Sequence, residues 1–321
     1  MKIVHPPLET TQSLPVSAPC EHIAGNERFI RKGFSLQEQF TTVADTSLVD
    51  LTLDLEDGAP VGQEESLRRL CVDLLNSDSN KADQAGVRIH PITSPHALRD
   101  LEVLITKAGS KIRYITVPKI NSVRDVRWAR GLIDFYCSEI NLPKPIPLHL
   151  LIETHSAVNQ LSSIAKLPLI ETFDFGLMDF ISQFDGAIAA SAMRSPEQFS
   201  HPLISATKQH ISRVAIEHQI VPSHNVTVDV RDPNSAYADA RKARREYGFL
   251  RMWSIHPNQI QSIIQGMLPD PDEIEEAKEI LEKASRASWG PIEHNNRLHD
   301  RASYRYYWNI LRRSPENHSL E

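Results

Sequence analysis

Residues 148–166 read LHLLIETHSAVNQLSSIAK, and the fold prediction starts from this stretch. The mostly apolar run Leu148–Ile152 predicts a buried strand, and the segment Ala157–Lys166 has apolar side chains at helical spacing. A continuous apolar run is typical of a parallel strand that is covered on both faces. The stretch therefore predicts one strand–helix unit, with Glu153 at the carboxyl end of the strand.

The same unit recurs along the chain. The other predicted strands are Cys20–Ala24, Leu48–Leu55, Val87–His90, Tyr114–Pro118, Thr172–Leu177, Val226–Val230 and Arg251–Ile255. The other predicted helices of this region are Gln63–Leu75, Pro95–Ala108, Asn121–Ile140, Ser205–Gln219, Ala236–Tyr247 and Pro257–Gln265. No glycine-rich phosphate loop follows any of these strands, which disfavours a doubly wound nucleotide-binding sheet. Eight strands alternating with helices predict an α/β fold, the (β/α)8 TIM barrel.

The domain organisation follows from the ends of this pattern. Residues 1–18 are rich in proline and predict a flexible N-terminal arm, and residues 19–268 form the predicted barrel. Beyond it, Asp270–Ala287 and Ala302–Arg313 have helical patterns, so residues 269–321 predict a C-terminal helical extension.

Composition restricts the function classes. The 321 residues include 35 basic and 41 acidic side chains, for a net charge of −6, which disfavours a nucleic-acid binder. The three cysteines are an odd number at wide spacing, which excludes a disulfide framework and fits a reducing compartment. No apolar run approaches the length of a membrane span, and the N-terminus lacks the apolar core of a signal peptide. We therefore expect a soluble cytoplasmic protein with no nucleic-acid or membrane partner.

Charged residues cluster at the carboxyl ends of the predicted strands, which form the active-site face of a barrel. They are Asp54, Glu56, Asp57, Arg88, His90, Lys119, Glu153, Asp179 and His256. Crowded carboxylates repel each other unless a cation lies among them, and oxygen ligands favour Mg²⁺, with Mn²⁺ possible, over zinc. Arg88 would supply a planar donor fork for a carboxylate or a developing oxyanion. The set suits a metal-bound 2-oxo acid and chemistry through an enolate.

Each of these residues also has a structural interpretation. Glu153 and Asp179 could cap the following helices or form ion pairs, and Asp54 could be a buried structural partner. Lys119 could form a salt bridge with an acidic residue after the second strand. His256 could form a hydrogen bond at a strand end without acting as an acid–base group. The residues alone leave these alternatives open.

Several motifs in order resemble one known family. They are AGNERFIRKG, LDLEDGAP, VRIHPITSPHALRDL, TVPKINSVRDV, LLIETHSAV, FDFGLMDF, MRSPEQF and WSIHPNQI. Across residues 20–265 this order resembles the citrate lyase beta subunit and malyl-CoA lyase-like family, of the phosphoenolpyruvate/pyruvate barrel superfamily. The resemblance implies a homo-oligomeric TIM barrel, a trimer or hexamer, that uses Mg²⁺ and a coenzyme A thioester.

The resemblance also implies an activity and the residues that perform it. It implies a carbon–carbon lyase that cleaves or forms malyl-CoA, methylmalyl-CoA, citramalyl-CoA or citryl-CoA, with an acyl-CoA and a 2-oxo acid as the other reaction partners. Glu153 and Asp179 match the family's metal ligands. Arg88 matches the catalytic arginine that contacts the 2-oxo acid and the thioester enolate. Glu56 and Asp57 match an acidic pair that lines the metal site and is assigned a catalytic role.

Further positions are carried over from the ends of the resemblance. Asn26 and Arg28 fall near the substrate-facing first loop. The tail NNRLHDRASYRYYWNIL resembles a segment of the malyl-CoA lyase branch in which an aspartate reaches a neighbouring subunit's site as the acid–base residue. Asp300 is the matching position, and the alternative is that it caps the last helix.

Two departures from the family pattern leave other functions open. His90 stands where the family usually has asparagine, and we assign it to the 2-oxo acid pocket; Ala157 stands where glycine is usual. The alternatives are a CoA-independent 2-oxo acid aldolase of the same superfamily and a non-catalytic barrel that binds metal and 2-oxo acid.

Overall fold

The structure is a computed structural model that describes residues 14–42 and 46–316. The chain forms two compact units. One consists of Ser17–Thr41 and Ser47–Met267, and the other contains Leu268–Glu321 with two short segments from the first 46 residues. Residues 1–13 of the predicted N-terminal arm lie outside the described residues.

The larger unit is a closed barrel of parallel strands, each paired with the next and the last paired with the first. The strands are β1 Cys20–Ala24, β2 Val49–Asp54, β3 Ala85–Arg88, β4 Ile115–Val117, β5 Leu148–Ile152, β6 Ile170–Phe175, β7 Val221–His224 and β8 Arg251–Ser254. This topology confirms the predicted (β/α)8 TIM barrel. The carboxyl ends of all eight strands therefore open on one face.

Helices connect and surround the strands. They are α1 Glu27–Gln39, α2 Glu64–Leu75, α3 Pro95–Ala108, α4 Val123–Glu139, α5 His155–Asn159, α6 Leu161–Ile164, α7 Leu177–Ser182, α8 Glu197–Ser200, α9 Pro202–Glu217, α10 Pro233–Tyr247 and α11 Pro257–Met267. Short 3₁₀ turns lie at Gly109–Lys111 and Ala190–Met193. No helix of the described residues combines the length and apolar character that a membrane span requires.

The position of the seventh strand corrects the sequence prediction. The alternating valines at 226, 228 and 230 satisfied a strand pattern, yet the strand is Val221–His224, which contains a proline and two polar residues. The barrel accommodates this sequence because Pro222 still accepts the Leu250 N–H and the buried His224 ring bonds to Lys208. The valine segment that follows is a loop at the mouth of the barrel.

The smaller unit contains α12 Pro271–Arg286, the antiparallel hairpin β9 Ile292–His294 and β10 Arg297–His299, and α13 Arg301–Arg312. Apolar side chains of the two helices form its core, in which Tyr304 is fully buried and donates its hydroxyl to Gly290 O at 2.7 Å. Both helices match the predicted ones within one residue at each end. The hairpin, with an Asn-Asn turn between three-residue strands, was not predicted.

Candidate active site

A cavity of about 340 Å³ lies at the carboxyl ends of the barrel strands. One group of its lining residues is charged: Asp54, Asp57, Arg88, Glu153 and Asp179. Another group is apolar: Ile23, Leu151, Phe175, Met193, Val226, Val228, Trp253 and Ile255. The cavity thus offers ionic ligands and an apolar surface to the same bound molecule.

Arg88 is held in one orientation by Asp54. The guanidinium donates from Nε to Asp54 Oδ1 and from Nη2 to Asp54 Oδ2, both at 2.6 Å, and Nη1 lies 3.3 Å from Glu56 Oε2. Asp54 also accepts the backbone N–H groups of Glu56 and Gly58 at 3.0 and 2.8 Å. Burial acts to lower the pKa of Arg88, but the charge of Asp54 outweighs it and keeps the cation stable. Asp54 therefore has the structural role that the sequence left as an alternative.

Lys119 joins two acidic segments of the site. Its Nζ lies 2.5 Å from Glu56 Oε1 and 2.9 Å from Asp57 Oδ2, and its backbone N–H donates to Glu153 Oε1 at 2.6 Å. The backbone of Lys119 has φ +50°, a left-handed conformation that few residues other than glycine adopt. Burial acts to lower the pKa of Lys119, but its hydrogen bonds to Glu56 and Asp57 raise it above the ordinary value. Lys119 thus forms the salt bridge foreseen as its structural alternative.

Glu56 and Asp57 differ electrostatically although they are adjacent. Burial raises the pKa of Glu56 despite the nearby Arg88 charge. Burial also acts to raise the pKa of Asp57, but the hydrogen bond and charge of Lys119 lower it below its ordinary value. Asp57 lines the cavity, whereas Glu56 is bonded behind it to Lys119 and Arg88.

Glu153 and Asp179 come from consecutive strand–helix units and line the same cavity. Glu153 follows β5 and is 2% exposed, and Thr154 next to it caps α5 and donates its hydroxyl to Ile120 O at 2.7 Å. Asp179 lies in the first turn of α7. At Gly176 a Cβ would lie 2.3 Å from Glu153 Oε2, so glycine makes room for this carboxylate.

 The negative charge of Glu153 is not balanced by the contacts that its side chain makes. Burial raises the pKa of Glu153 to about 8, and the negative charge of Asp179 acts in the same direction. A divalent cation would remove this imbalance. Mg²⁺ is usually bound by one or two carboxylates, with its other positions left to water or substrate oxygens, and these two carboxylates line a cavity. The residues present therefore fit a hard divalent ion held by Glu153 and Asp179.

The other predicted substrate residues lie in different surroundings. Asn26 lines the cavity and caps α1 by accepting the Phe29 N–H at 3.0 Å. Arg28 is exposed in the first turn of α1 and is not among the cavity-lining residues. His90 is likewise not among them, because its Nδ1 is bonded to Asp100 Oδ2 on α3 at 2.7 Å.

Asp300 belongs to the smaller unit. It is the N-cap of α13, where its Oδ1 accepts the Ala302 N–H at 2.9 Å, and Ser303 Oγ accepts the Asp300 N–H at 3.2 Å. The side chain is exposed. The helix-capping alternative therefore describes what Asp300 does within one chain.

Sequence reasoning missed four residues of the cavity wall, in two segments. Trp253 lies against Arg88, whose Cζ is 6.0 Å from the ring centroid, and Asn225, Val226 and Val228 follow β7. Trp253 stands in the motif WSIHPNQI, so its motif was noticed but its role was not. Asn225 was missed because the predicted seventh strand begins at Val226, five residues after the observed start of β7 at Val221.

Comparison with known proteins decides the family. Residues 35–257 match the family described as HpcH/HpaI aldolase/citrate lyase. The chain belongs to this family. It is therefore a lyase-type enzyme, in agreement with the family that its motifs resemble.

Similar proteins with assigned activities are lyases. An L-malyl-CoA/beta-methylmalyl-CoA lyase of Cereibacter sphaeroides is 24% identical over 289 residues, which cover 86% of this chain and 90% of the relative. A malyl-CoA/beta-methylmalyl-CoA/citramalyl-CoA lyase of Chloroflexus aurantiacus is 25% identical over 245 residues, covering 71% of this chain and 70% of the relative.

Solved structures share the fold. A citrate lyase structure from Burkholderia xenovorans is 43% identical, has a TM-score of 0.86, and is matched over 95% of this chain and 94% of its own. The CitE protein of Mycobacterium tuberculosis, in complex with magnesium, acetoacetate and coenzyme A, is 22% identical with a TM-score of 0.68. That match covers 92% of this chain and 98% of the other, and it shows a common fold.

Proposed function

We propose that this enzyme is a Mg²⁺-dependent carbon–carbon lyase acting on a 3-hydroxyacyl-CoA thioester such as malyl-CoA, methylmalyl-CoA, citramalyl-CoA or citryl-CoA. Its products in the cleavage direction are an acyl-CoA and a 2-oxo acid. The observation that carries the proposal is that Glu153, Asp179 and Arg88 line one cavity at the active-site face of the barrel. The malyl-CoA and citramalyl-CoA lyases among its relatives, and the magnesium and coenzyme A in the CitE complex, support it.

Glu153 and Asp179 are the residues that would hold the ion, Mg²⁺ or Mn²⁺. When bound there, the ion supplies Lewis-acid polarisation of the 2-oxo acid oxygens. Lys119 orients Glu153 through its backbone N–H and leaves the second carboxylate oxygen of Glu153 to other partners. Because Gly176 has no side chain, it leaves room beside this oxygen.

Arg88 would stabilise the negative charge that develops on the thioester oxygen as the carbon–carbon bond breaks. Its Nε and one Nη2 proton are committed to Asp54, and Nη1 faces Glu56, so the guanidinium is already oriented and its protons that do not face these carboxylates are left for a ligand. Such preorganised donors commonly contribute about a hundredfold to a thousandfold in rate. Asp57, which lines the cavity, and Glu56 behind it would take up the hydroxyl proton through a water in cleavage and return it in condensation.

We also propose a homo-oligomer, a trimer or hexamer, in which Asp300 acts as the acid–base residue in a neighbouring copy's site. The test uses two inactive variants, Asp300→Asn and Arg88→Lys, mixed after dissociation and reassembly. Asparagine is also a good N-cap, so Asp300→Asn should leave α13 stable. Recovery of activity in the mixture supports action between copies, and no recovery with full assembly contradicts it.

The experiment that tests the proposed function is a substrate panel. Purified enzyme is incubated with Mg²⁺ and each of the four thioesters, or with the corresponding free hydroxy acids, and release of 2-oxo acid is measured. The proposal predicts cleavage of at least one thioester, loss of activity with a chelator, and no cleavage of free acids. Cleavage of free acids alone indicates the CoA-independent aldolase, and binding of Mg²⁺ and oxaloacetate without any turnover indicates the non-catalytic barrel.

A further inference from the structure

A lysine without exposed surface lies on α9 beside β7. The Nζ atom of Lys208 is 2.8 Å from Gln198 Oε1, 2.8 Å from His224 Nε2 and 4.1 Å from the centroid of the Phe199 ring. Its hydrogen-bond partners are neutral, and burial holds the pKa of Lys208 well below its ordinary value. Burying an amine among neutral partners is costly, so its retention calls for an explanation.

One chain of hydrogen bonds leads from Lys208 to the cavity wall through Gln198. Gln198 Oε1 accepts from Lys208 Nζ and from Asn225 Nδ2, the latter at 2.9 Å, and Gln198 Nε2 donates to Asp239 Oδ2 at 3.0 Å. The carboxylate of Asp239 only accepts, so Gln198 Nε2 faces Asp239 and Gln198 Oε1 faces Lys208 and Asn225. That orientation in turn directs the NH₂ group of Asn225 toward Gln198.

A second chain leads to the same residue through His224. The Nδ1 atom of His224 is 3.0 Å from the backbone O of Asn225, and its Nε2 faces Lys208. With Lys208 donating to Nε2, Nδ1 carries the proton and donates to Asn225. Lys208 therefore orients both the backbone and the side chain of Asn225.

Asn225 is one of the cavity-lining residues, and it carries a buried acceptor that no group among the described residues uses. It is 2% exposed, its Nδ2 donates to Gln198 and to Val226 O, and its Oδ1 has no hydrogen-bond partner among the described residues. Buried polar atoms in folded proteins are nearly always paired. The neighbouring lining residues Val226, Val228 and Met193 offer no donor side chains. An oriented, unpaired acceptor in an apolar wall is suited to a ligand that brings one donor.

We propose that Asn225 Oδ1 accepts a hydrogen bond from the substrate's thioester arm, from the amide N–H two methylenes beyond the sulfur, and that Lys208 is the positioning residue for this acceptor. The inference rests on the proposed function, since it takes the substrate to be a coenzyme A thioester. An ionised 2-oxo acid carries no donor hydrogen and cannot be the partner. An amide flanked by methylenes matches one acceptor among apolar side chains. The 3-hydroxyl group is the other donor that the reaction offers, and the test separates the two.

The test compares Asn225→Leu with Asn80→Leu by calorimetry. Asn80 is a matched control, because it is 5% exposed, its Oδ1 also has no hydrogen-bond partner in the described part of the chain, and it is not among the cavity-lining residues. The probes are acetyl-CoA, S-acetyl-N-acetylcysteamine, S-acetyl-pentanethiol, which lacks the amide, and pyruvate and malate with Mg²⁺. In Asn225→Leu we expect about fivefold to tenfold weaker binding of the two amide-containing thioesters, with pyruvate and S-acetyl-pentanethiol unchanged. Asn80→Leu should change none of these affinities.

The possible failures are distinguishable. If the wild-type protein binds pyruvate but neither amide-containing thioester, the proposed function fails and this inference falls with it. If the wild type binds them and Asn225→Leu binds them equally well, the inference is wrong while the proposed function stands. If Asn225→Leu weakens malate instead of the thioesters, the donor is the hydroxyl and the amide assignment is wrong.

Lys208→Met and Gln198→Leu test the positioning role. Both should raise KM for the thioester about fivefold to tenfold, with kcat and KM for the 2-oxo acid unchanged, which a general loss of folding would not produce. Gln198→Leu keeps the test decisive if Lys208→Met does not fold. Unchanged thioester KM in the folded variants, alongside a raised value in Asn225→Leu, would show that Lys208 does not position the acceptor.

Discussion

Two charged clusters lie in the same barrel and differ in how well their charges are matched. We call the first the lower cluster; its members are Glu21, Asp50, His149, Asp174 and Arg251. We call the second the mouth cluster; its members are Asp54, Glu56, Asp57, Arg88, Lys119, Glu153 and Asp179. The carboxylates of the lower cluster accept hydrogen bonds from Arg251 or from neighbouring neutral donors, whereas the mouth cluster has five acidic groups against two basic ones.

The lower cluster is centred on Arg251, which has no exposed surface. It donates to Asp50 Oδ2 at 2.5 Å and to Glu21 Oε2 at 2.6 Å. Burial acts to raise the pKa of Glu21, but Arg251 and neighbouring donors lower it to about 2. The ligand atoms of Glu21, His149 and Asp174 lie within 4.8 Å of one another, a spacing that could hold a metal. Their carboxylate oxygens already accept hydrogen bonds from Thr52, Arg251 and Trp253.

The comparison teaches that ligand spacing alone does not indicate a metal site. A carboxylate that is already paired with arginine or tryptophan donors contributes to folding. Glu153, by contrast, accepts the Lys119 N–H at Oε1 and lines the cavity, so it remains available to an ion. We therefore expect substitutions in the lower cluster to change stability and substitutions in the mouth cluster to change activity.

The largest effect on stability is expected for Arg251→Met. It removes the arginine partner of the buried carboxylates Glu21 and Asp50, which should lower the free energy of unfolding by about 3–5 kcal/mol. Urea denaturation measures the change, and activity per folded molecule should persist. Arg99→Met, which removes an exposed ion pair with Glu102, is the control and should change stability by less than about 0.5 kcal/mol.

Glu153→Gln should change activity and leave stability nearly unchanged. Loss of a direct metal ligand should lower kcat/KM by at least about a hundredfold, because even indirect partners of metal sites contribute about tenfold to a hundredfold. Without metal, the free energy of unfolding should stay constant or rise, since a neutral amide replaces a buried carboxyl group beside Asp179. Steady-state kinetics and urea denaturation on the same preparation measure both; a large loss of stability would show that Glu153 is structural.

The protonated form of His149 should make the stability of the protein depend on pH. Burial acts to lower the pKa of His149, but Glu171 and Glu21, at 3.9 and 3.6 Å, raise it to about 9. Since the folded pKa exceeds the unfolded value of 6.5, this stabilisation is full below pH 6.5 and is lost as the pH rises through 9. The wild type should lose about 2–3 kcal/mol over this range relative to His149→Gln. Parallel curves for the two proteins would contradict the assignment.

The smallest effect is expected for Lys119→Met. It releases Glu56 and Asp57 while the backbone bond to Glu153 remains, so kcat/KM should fall only about tenfold. Lys119→Arg should recover part of the activity because it restores the charge. Kinetics at saturating Mg²⁺ measure the change, and equal activity of the wild type and both variants would show that the salt bridge of Lys119 with Glu56 and Asp57 has no role in catalysis.

Much of the barrel could be predicted because its strands are apolar and its helices are periodic. Helix α3 has the predicted bounds, Pro95–Ala108, and its proline at the first position and Ser94 cap explain why. The prediction failed at β7, where the buried polar residues Ser223 and His224 are compatible with a strand only because tertiary partners such as Lys208 exist. Such partners lie far away in sequence and leave no local pattern.

The candidate site shows the same division. Topology alone placed Arg88, Glu153 and Asp179 at the ends of strands, and the structure brings them to one cavity. The sequence could not show that Asp54 accepts hydrogen bonds from both Nε and Nη2 of Arg88. Nor could it show that His90 turns to Asp100 on α3, because both depend on side-chain directions.

One measurement tests the central claim most directly: anomalous diffraction from a crystal of this protein soaked with Mn²⁺ and pyruvate. The account predicts one strong manganese peak bonded to Glu153 and Asp179, with pyruvate on the ion and within reach of Arg88. A peak at Glu21, His149 and Asp174, or no ordered manganese at Glu153 and Asp179 under saturating conditions, would contradict it.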